Sequence, residues 1–443
     1  MKRDSILIIA TCLFLSLQDS FAQSGISDLY VQTSEMADRM IQYDADRGSI
    51  MRFYSTGVSE SEWWRLQESG YNSPERRRRL QQLLTDYLKQ MDKVDFDRMN
   101  INGKADYLLF RRDLEDEQYR LTREQSLYDQ VTKYFPFSDR IYALEKPRRR
   151  GIAVNAEEAA KELNDINKQI MKAIEELKSA DSIEMKQANL ASDAAKGLQG
   201  ALKNYYNFYN SYDPLFTWWV PKTYVVTDSL LNLYAQSLKK KGKVTSSQKD
   251  DGSGIIGNPI GHEELIRQLK REFIPYTPEE LVDIANKEFA WCDAELLKAS
   301  REMGFGDNWK AAQEKVKNSY VAPGKQPEAM YDLYKQSVDF LKKNDLVTIP
   351  PLAEETWRMY MMSPERQRIN PFFLGGESLI ISYPANTMTY EEKMMSMRGN
   401  NPNFSRATVH HELIAGHEMQ GFMNNRNKTY RHFNTPFWVE GNS

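Results

Sequence analysis

Residues 409 to 420, Val409-His410-His411-Glu412-Leu413-Ile414-Ala415-Gly416-His417-Glu418-Met419-Gln420, hold the densest chemistry in the chain. The 443 residues include five histidines, and four of them (His410, His411, His417 and His432) fall within the last 34 positions. A His-Glu pair with another histidine one to two helical turns on presents two imidazoles to a Zn²⁺ ion and a carboxylate to the water the ion holds. The pattern implies a zinc hydrolase.

The spacing qualifies that reading. In the H-E-x-x-H pattern the histidines lie four apart, about 40° apart around a helix, and share a face. His411 and His417 stand six apart, which on an unbroken helix separates them by roughly 120°. Both reach one ion only if the helix is bulged or broken between them. Ala415-Gly416 is a suitable place, because glycine tolerates backbone angles that other residues avoid. His410 and His417, seven apart, share a face with no break, so His410 stands as the rival of His411 for the ligand position.

The segment resembles the H-E-x-x-P-G-H-x-x-Q signature of the bacterial family known as domain of unknown function 885, whose members are similar to zinc-dependent peptidases of the gluzincin type. His411, Glu412, Gly416, His417 and Gln420 match it, with Ala415 in place of the proline. Of a second motif, F-x-E-G-W-A-L-Y, the chain carries Phe437-Trp438-Val439-Glu440-Gly441 before departing at Asn442-Ser443. Glu440 lies 23 residues beyond His417, a separation similar to that in gluzincins, where a glutamate on the next helix is the third ligand. Gly257-Asn258-Pro259-Ile260-Gly261 and Thr277-Pro278-Glu279-Glu280 extend the resemblance upstream.

The resemblance implies a mainly α, zincin-like helical metallopeptidase with a short β element before the metal-binding helix. It implies Zn²⁺ held by His411, His417 and Glu440, with Glu412 as general base. In the family the chain continues past the glutamate into further helices, whereas this sequence stops three residues after Glu440. It is therefore read as a piece of a longer product or a shortened one, with Glu440 held loosely near a terminus.

Taken in order, the chain opens with Met1-Lys2-Arg3, an apolar run from Ile6 to Leu17, and Ser20-Phe21-Ala22 before Gln23. This is the layout of a secretory signal peptide over residues 1–22, too short to span a membrane. Lipidation at Cys12 is disfavoured by Thr11 before it and by the apolar run beyond it. The product is expected to be exported, periplasmic or extracellular, without stable membrane insertion. Cys292 is then the sole cysteine, so no internal disulfide forms and stability must come from the core. In Phe289-Ala290-Trp291-Cys292 the thiol reads as a small buried apolar residue. The net charge of −3 argues neither for nucleic acid nor for an anionic membrane surface, and no nucleic-acid partner is expected. The basic runs Arg76 to Arg79 and Arg148 to Arg150 read as solvated surface.

Residues 23 to 345 read as a helical scaffold. Ser73-Pro74-Glu75 opens one helix, whose Leu80, Leu84, Tyr87, Leu88 and Met91 keep a single apolar face. Leu163, Ile166, Ile170, Ile174 and Leu177 follow a candidate cap at Asn155. Thr277-Pro278-Glu279-Glu280 is a capping box with Gly304 closing its helix, and Pro327 to Leu341 forms another. The aromatic groups Trp63-Trp64, Tyr205 to Tyr212 and Phe216-Thr217-Trp218-Trp219 read as helix packing. Residues 239 to 258, rich in Lys, Ser, Asp and Gly, read as a linker or loop.

Residues 346 to 443 read as the zinc-binding catalytic region, incomplete at its C-terminus. Ser378 to Tyr383 read as a short strand before Pro384, in which Leu379, Ile380, Ile381, Ser382 and Tyr383 are the candidate for pairing with an extended peptide substrate. The methionines from Met359 to Met397 read as adaptable core filling. The helix bearing His411 is expected to start at Asn403 or Ser405. The function implied is zinc-dependent hydrolysis of peptide amide bonds, carboxypeptidase-like activity among its forms. The alternative is an exported helical binding protein with a degenerate or structural metal site. Expression of the full chain with export should give a mature protein beginning at Gln23, read by N-terminal sequencing; a product retaining Met1 would overturn the signal-peptide reading.

Overall fold

The computed structural model describes residues 34–54, 73–243, 259–369, 378–432 and 436–443. The signal peptide, Trp63-Trp64 and residues 244–258 of the polar stretch, Gly257 and Asn258 among them, lie outside the described residues. The chain divides into two compact units, Met1–Asn258 and Pro259–Ser443. Residue 345 falls inside the second.

The first unit is built from helices α1 (Ala37–Phe53), α2 (Pro74–Met91), α3 (Ile101–Asp129), α4 (Ser138–Arg148), α5 (Ala156–Ser179), α6 (Met185–Tyr209), α7 (Pro214–Trp219) and α8 (Pro221–Lys241). Two-residue strands β1 (Ile183–Glu184) and β2 (Gly242–Lys243) pair in parallel. The expected caps are in place: Ser73 accepts from the backbone N–H of Arg76, and Asn155 from that of Glu158. Each satisfies an amide that the first helical turn would otherwise leave open.

Packing follows from the sequence pattern. Leu163, Ile166 and Ile170 on α5 are fully buried, with Leu177 nearly so. They meet α8, which also packs on α6. Ala188, Ala191, Ala195 and Ala201 line the inner face of α6 without exposure. Side chains this small let helix axes approach closely while the larger neighbours fill the gaps.

Two expectations need correction here. The basic runs are partly interior: Arg77 is wholly buried, donating to Glu124 and Gln125 with its guanidinium 4.8 Å over the Tyr128 ring. The side chain of Arg149 is 3% exposed and pairs with Glu145 and Glu75. Burial works to raise the pKa of Glu75, but hydrogen bonds from Lys146 and Arg149 outweigh it and hold the carboxyl below its ordinary value. These charges are inside because each has a partner at hydrogen-bond distance. The aromatic cluster, in turn, splits. Tyr205, Tyr209 and Phe216 are core, whereas Tyr212 is 87% and Trp218 80% exposed.

The second unit contains α9 (His262–Arg271), α10 (Pro278–Glu302), α11 (Trp309–Lys317), α12 (Gln326–Lys343), α13 (Pro351–Thr356), β3 (Arg358–Met361), α14 (Pro364–Ile369), β4 (Ser378–Ile381), α15 (Tyr390–Gly399), α16 (Pro402–Glu412), α17 (His417–Asn424) and α18 (Pro436–Asn442). Thr277 and Glu280 form the reciprocal capping box of α10, and Gly304 follows its end at φ +84°. α10 packs on α11 but leaves Phe289 and Trp291 exposed. Cys292 beside them is exposed too, not the buried apolar residue expected. The core of this unit joins Met330, Leu333 and Val338 of α12 to Leu379 and Ile381 of β4 and to Val409, Leu413, Ile414 and Met419 around the histidine segment. Among the methionines, Met362, Met388 and Met397 are buried as expected, whereas Met361 and Met395 are exposed.

The architecture is mainly helical, and its longer sheet is the parallel pair β3–β4. In urea unfolding followed by circular dichroism, Leu163→Ala should cost about 2–5 kcal/mol, the usual penalty for emptying a tight core site. Asn155→Ala should cost about 1 kcal/mol. Equal and negligible effects would contradict the described packing.

Candidate metal centre

The histidine segment is shaped by its caps and its break. α16 starts earlier than expected: Asn401 is its cap, accepting from the N–H groups of Asn403 and Phe404, and Pro402 occupies the first helical position. The helix ends at Glu412, Leu413 to Gly416 turn the chain, and α17 resumes at His417. The interruption that the six-residue spacing demands is therefore present. Gly416 is needed there for room: with φ −88°, it needs no left-handed backbone. A Cβ built on it would lie 1.8 Å from the His411 carbonyl oxygen and 2.6 Å from that of His410. The Ile414–Ala415 peptide, where the family signature has its proline as the second residue, is cis.

Ser337 of α12 secures the turn from behind. Its hydroxyl lies 3.2 Å from the Ile414 carbonyl and 2.6 Å from His410 Nδ1. Burial, with Arg406 adding to it, lowers the pKa of His410, so the neutral imidazole is favoured there. His410 is thus engaged with α12, away from the metal-competent group.

That group is His411, His417 and Glu440. His411 Nε2 and His417 Nε2 are 3.1 Å apart, and Glu440 Oε2 lies 3.3 Å and 3.5 Å from them respectively. Two ligands at 2.0–2.1 Å from a tetrahedral ion are separated by about 3.3 Å. Three donors of this type at this spacing fit Zn²⁺. Glu440 is 63% exposed, so one side of the group opens to solvent. Its helix α18 is fastened by Gln420, whose amide donates to the Trp438 carbonyl at 3.2 Å.

Two carboxylates flank these residues. Glu412, next to His411, is buried. Glu418, next to His417, is also buried, and its Oε2 has no hydrogen-bond partner among the described residues. Burial raises its pKa to about 7, with Arg426 pulling the other way.

A family model described as a bacterial protein of unknown function, DUF885, matches residues 64–441. The chain belongs to this family. No curated protein matches it. Among solved structures, a protein from Shewanella oneidensis described as a lipoprotein of unknown function shares the fold at 13% identity and a TM-score of 0.53, covering 90% of this chain and 73% of its own.

In this DUF885 chain the strand proposed for substrate pairing is shorter than expected, Ser378–Ile381, and pairs in parallel with β3. Leu379, Ile381 and Ser382 are wholly buried, so their side chains face the core; Ile380 and Tyr383 are half-buried. The Ser382 hydroxyl and the Tyr383 N–H both donate to Gln367 Oε1, and the Gln367 amide donates to the Met362 carbonyl. Because Met362 N–H donates to the Ile381 carbonyl, Ile381 faces β3 and the N–H and C=O of Ile380 face the other edge. Sequence reasoning missed β3, Gln367 and Ser337, whose partners are distant in the chain. Gly416→Ala should destabilise this unit by about 3 kcal/mol or more, beyond ordinary overpacking. A melting temperature matching the wild type would show that the turn has space the geometry denies.

Proposed function

We propose that this DUF885 protein is an exported zinc-dependent hydrolase of peptide amide bonds. The observation carrying the reading is the mutual spacing of His411 Nε2, His417 Nε2 and Glu440 Oε2, between 3.1 and 3.5 Å. Two imidazoles and one carboxylate make a common catalytic zinc set, leaving a fourth position for water or substrate. When bound, zinc supplies Lewis acidity and lowers the pKa of the water it holds.

The chain's own residues supply the rest. Glu412 adjoins the first ligand and ends the same helix, which supports assigning its carboxylate to the general-base role. There it takes the proton from the attacking water and later hands it to the leaving amine, the task of a general base that becomes a general acid. The outward N–H and C=O of Ile380 give an extended peptide a backbone to pair with. Recognition at β4 is thus assigned to the main chain, since Leu379, Ile381 and Ser382 turn their side chains inward.

Export is supported by the basic and apolar start of the sequence. It is compatible with the Shewanella neighbour's description as a lipoprotein and with the finding that no described helix is long and apolar enough to cross a membrane.

Zinc content and peptide cleavage test the reading together. Purified wild type should carry about one zinc per chain, and His411→Ala or His417→Ala should lose it. Glu412→Gln should retain the metal while cleavage of a mixed peptide library falls by about 100-fold or more. Wild type free of zinc after exposure to it would sink the proposal. Zinc without cleavage would favour a binding protein with a structural ion.

A further inference from the structure

Helix α18 and the residue that follows it meet His417 on both sides of the imidazole. Glu440 Oε2 stands 3.5 Å from Nε2, and Ser443 Oγ stands 3.0 Å from Nδ1. We infer that Ser443 is a positioning residue that fixes the tautomer and the ring orientation of His417 for metal binding; the inference rests on the zinc reading above.

The proton count gives the direction of the bond. A serine hydroxyl has one hydrogen and two lone pairs. The hydrogen of Ser443 is directed to the Val439 carbonyl at 3.0 Å, one helical turn back. The Val439 carbonyl can only accept, so both contacts are hydrogen bonds together only if Oγ accepts from the imidazole, and the hydrogen is therefore assigned to His417 Nδ1. In the neutral ring Nε2 is then left with its lone pair, and Nε2 is the atom grouped with His411 and Glu440.

The helix and the residue directly after it therefore contribute one ligand and orient another. Glu440 lies within α18, and Ser443 directly follows its last residue, Asn442. Gln420, three residues after His417, closes the loop by holding the Trp438 carbonyl of that helix. Outer partners of metal-bound histidines restrict ring rotation and raise ligand basicity, and their loss typically weakens metal affinity by about 10–100-fold.

The test uses the full chain as wild type, Ser443→Ala and Ser443→Thr. Nitrogen-15 NMR of the metal-free protein reads the tautomer, and competition with a chelating dye reads zinc affinity. The Nδ1–H form of His417 is expected in wild type and in Ser443→Thr, which keeps the hydroxyl. Ser443→Ala should bind zinc about 10–100-fold more weakly with unchanged helical content, and Ser443→Thr should restore most of the loss. An Nε2–H tautomer in the metal-free wild type, or zinc binding by Ser443→Ala as tight as wild type, overturns the inference while leaving the zinc reading intact. Wild type that takes up no zinc overturns both.

Discussion

The close approach of Gly416 to the carbonyl of His411 is the constraint on which the site depends. Because no Cβ fits there, the chain can fold back within four residues and α17 can start beside the end of α16. Two histidines that a continuous helix would point roughly 120° apart then bring their Nε2 atoms to 3.1 Å. The core beneath holds that turn: Leu413 and Ile414 are fully buried among α12 residues, and Ser337 reaches the Ile414 carbonyl. A sharp bend in the backbone is thus set between a steric minimum on one side and hydrophobic packing on the other.

What could be read beforehand was whatever depends on near neighbours. Ser73, Asn155 and Thr277 act as caps because a side-chain oxygen and an amide three residues on decide the matter locally. The need for a break between His411 and His417 followed from helical arithmetic alone. The start of α16 was misplaced because Asn401 and Pro402, a cap followed by a proline, are a stronger signal than Asn403 or Ser405.

What could not be read depends on distant partners. Arg77 appeared to be a surface charge because its partners Glu124, Gln125 and Tyr128 are far along the chain. β3 has the sequence Arg358-Met359-Tyr360-Met361, with no alternation of polar and apolar residues, and becomes a strand through pairing with β4. Similarly, nothing near His410 announces Ser337, 73 residues away. The strand chosen for recognition was real, but burial turned most of its side chains inward and left the backbone of Ile380 on the outer edge.

The bare stretch of α10 bears on how the protein behaves in a tube. Phe289 and Trp291 present their rings to water beside the thiol of Cys292. Apolar rings at the surface favour concentration-dependent sticking between molecules, and a thiol among them, with no second cysteine among the described residues, forms a disulfide there only with another molecule. Transient contact through α10 would thereby become a covalent cross-link in air, so a reductant governs whether the protein stays dispersed.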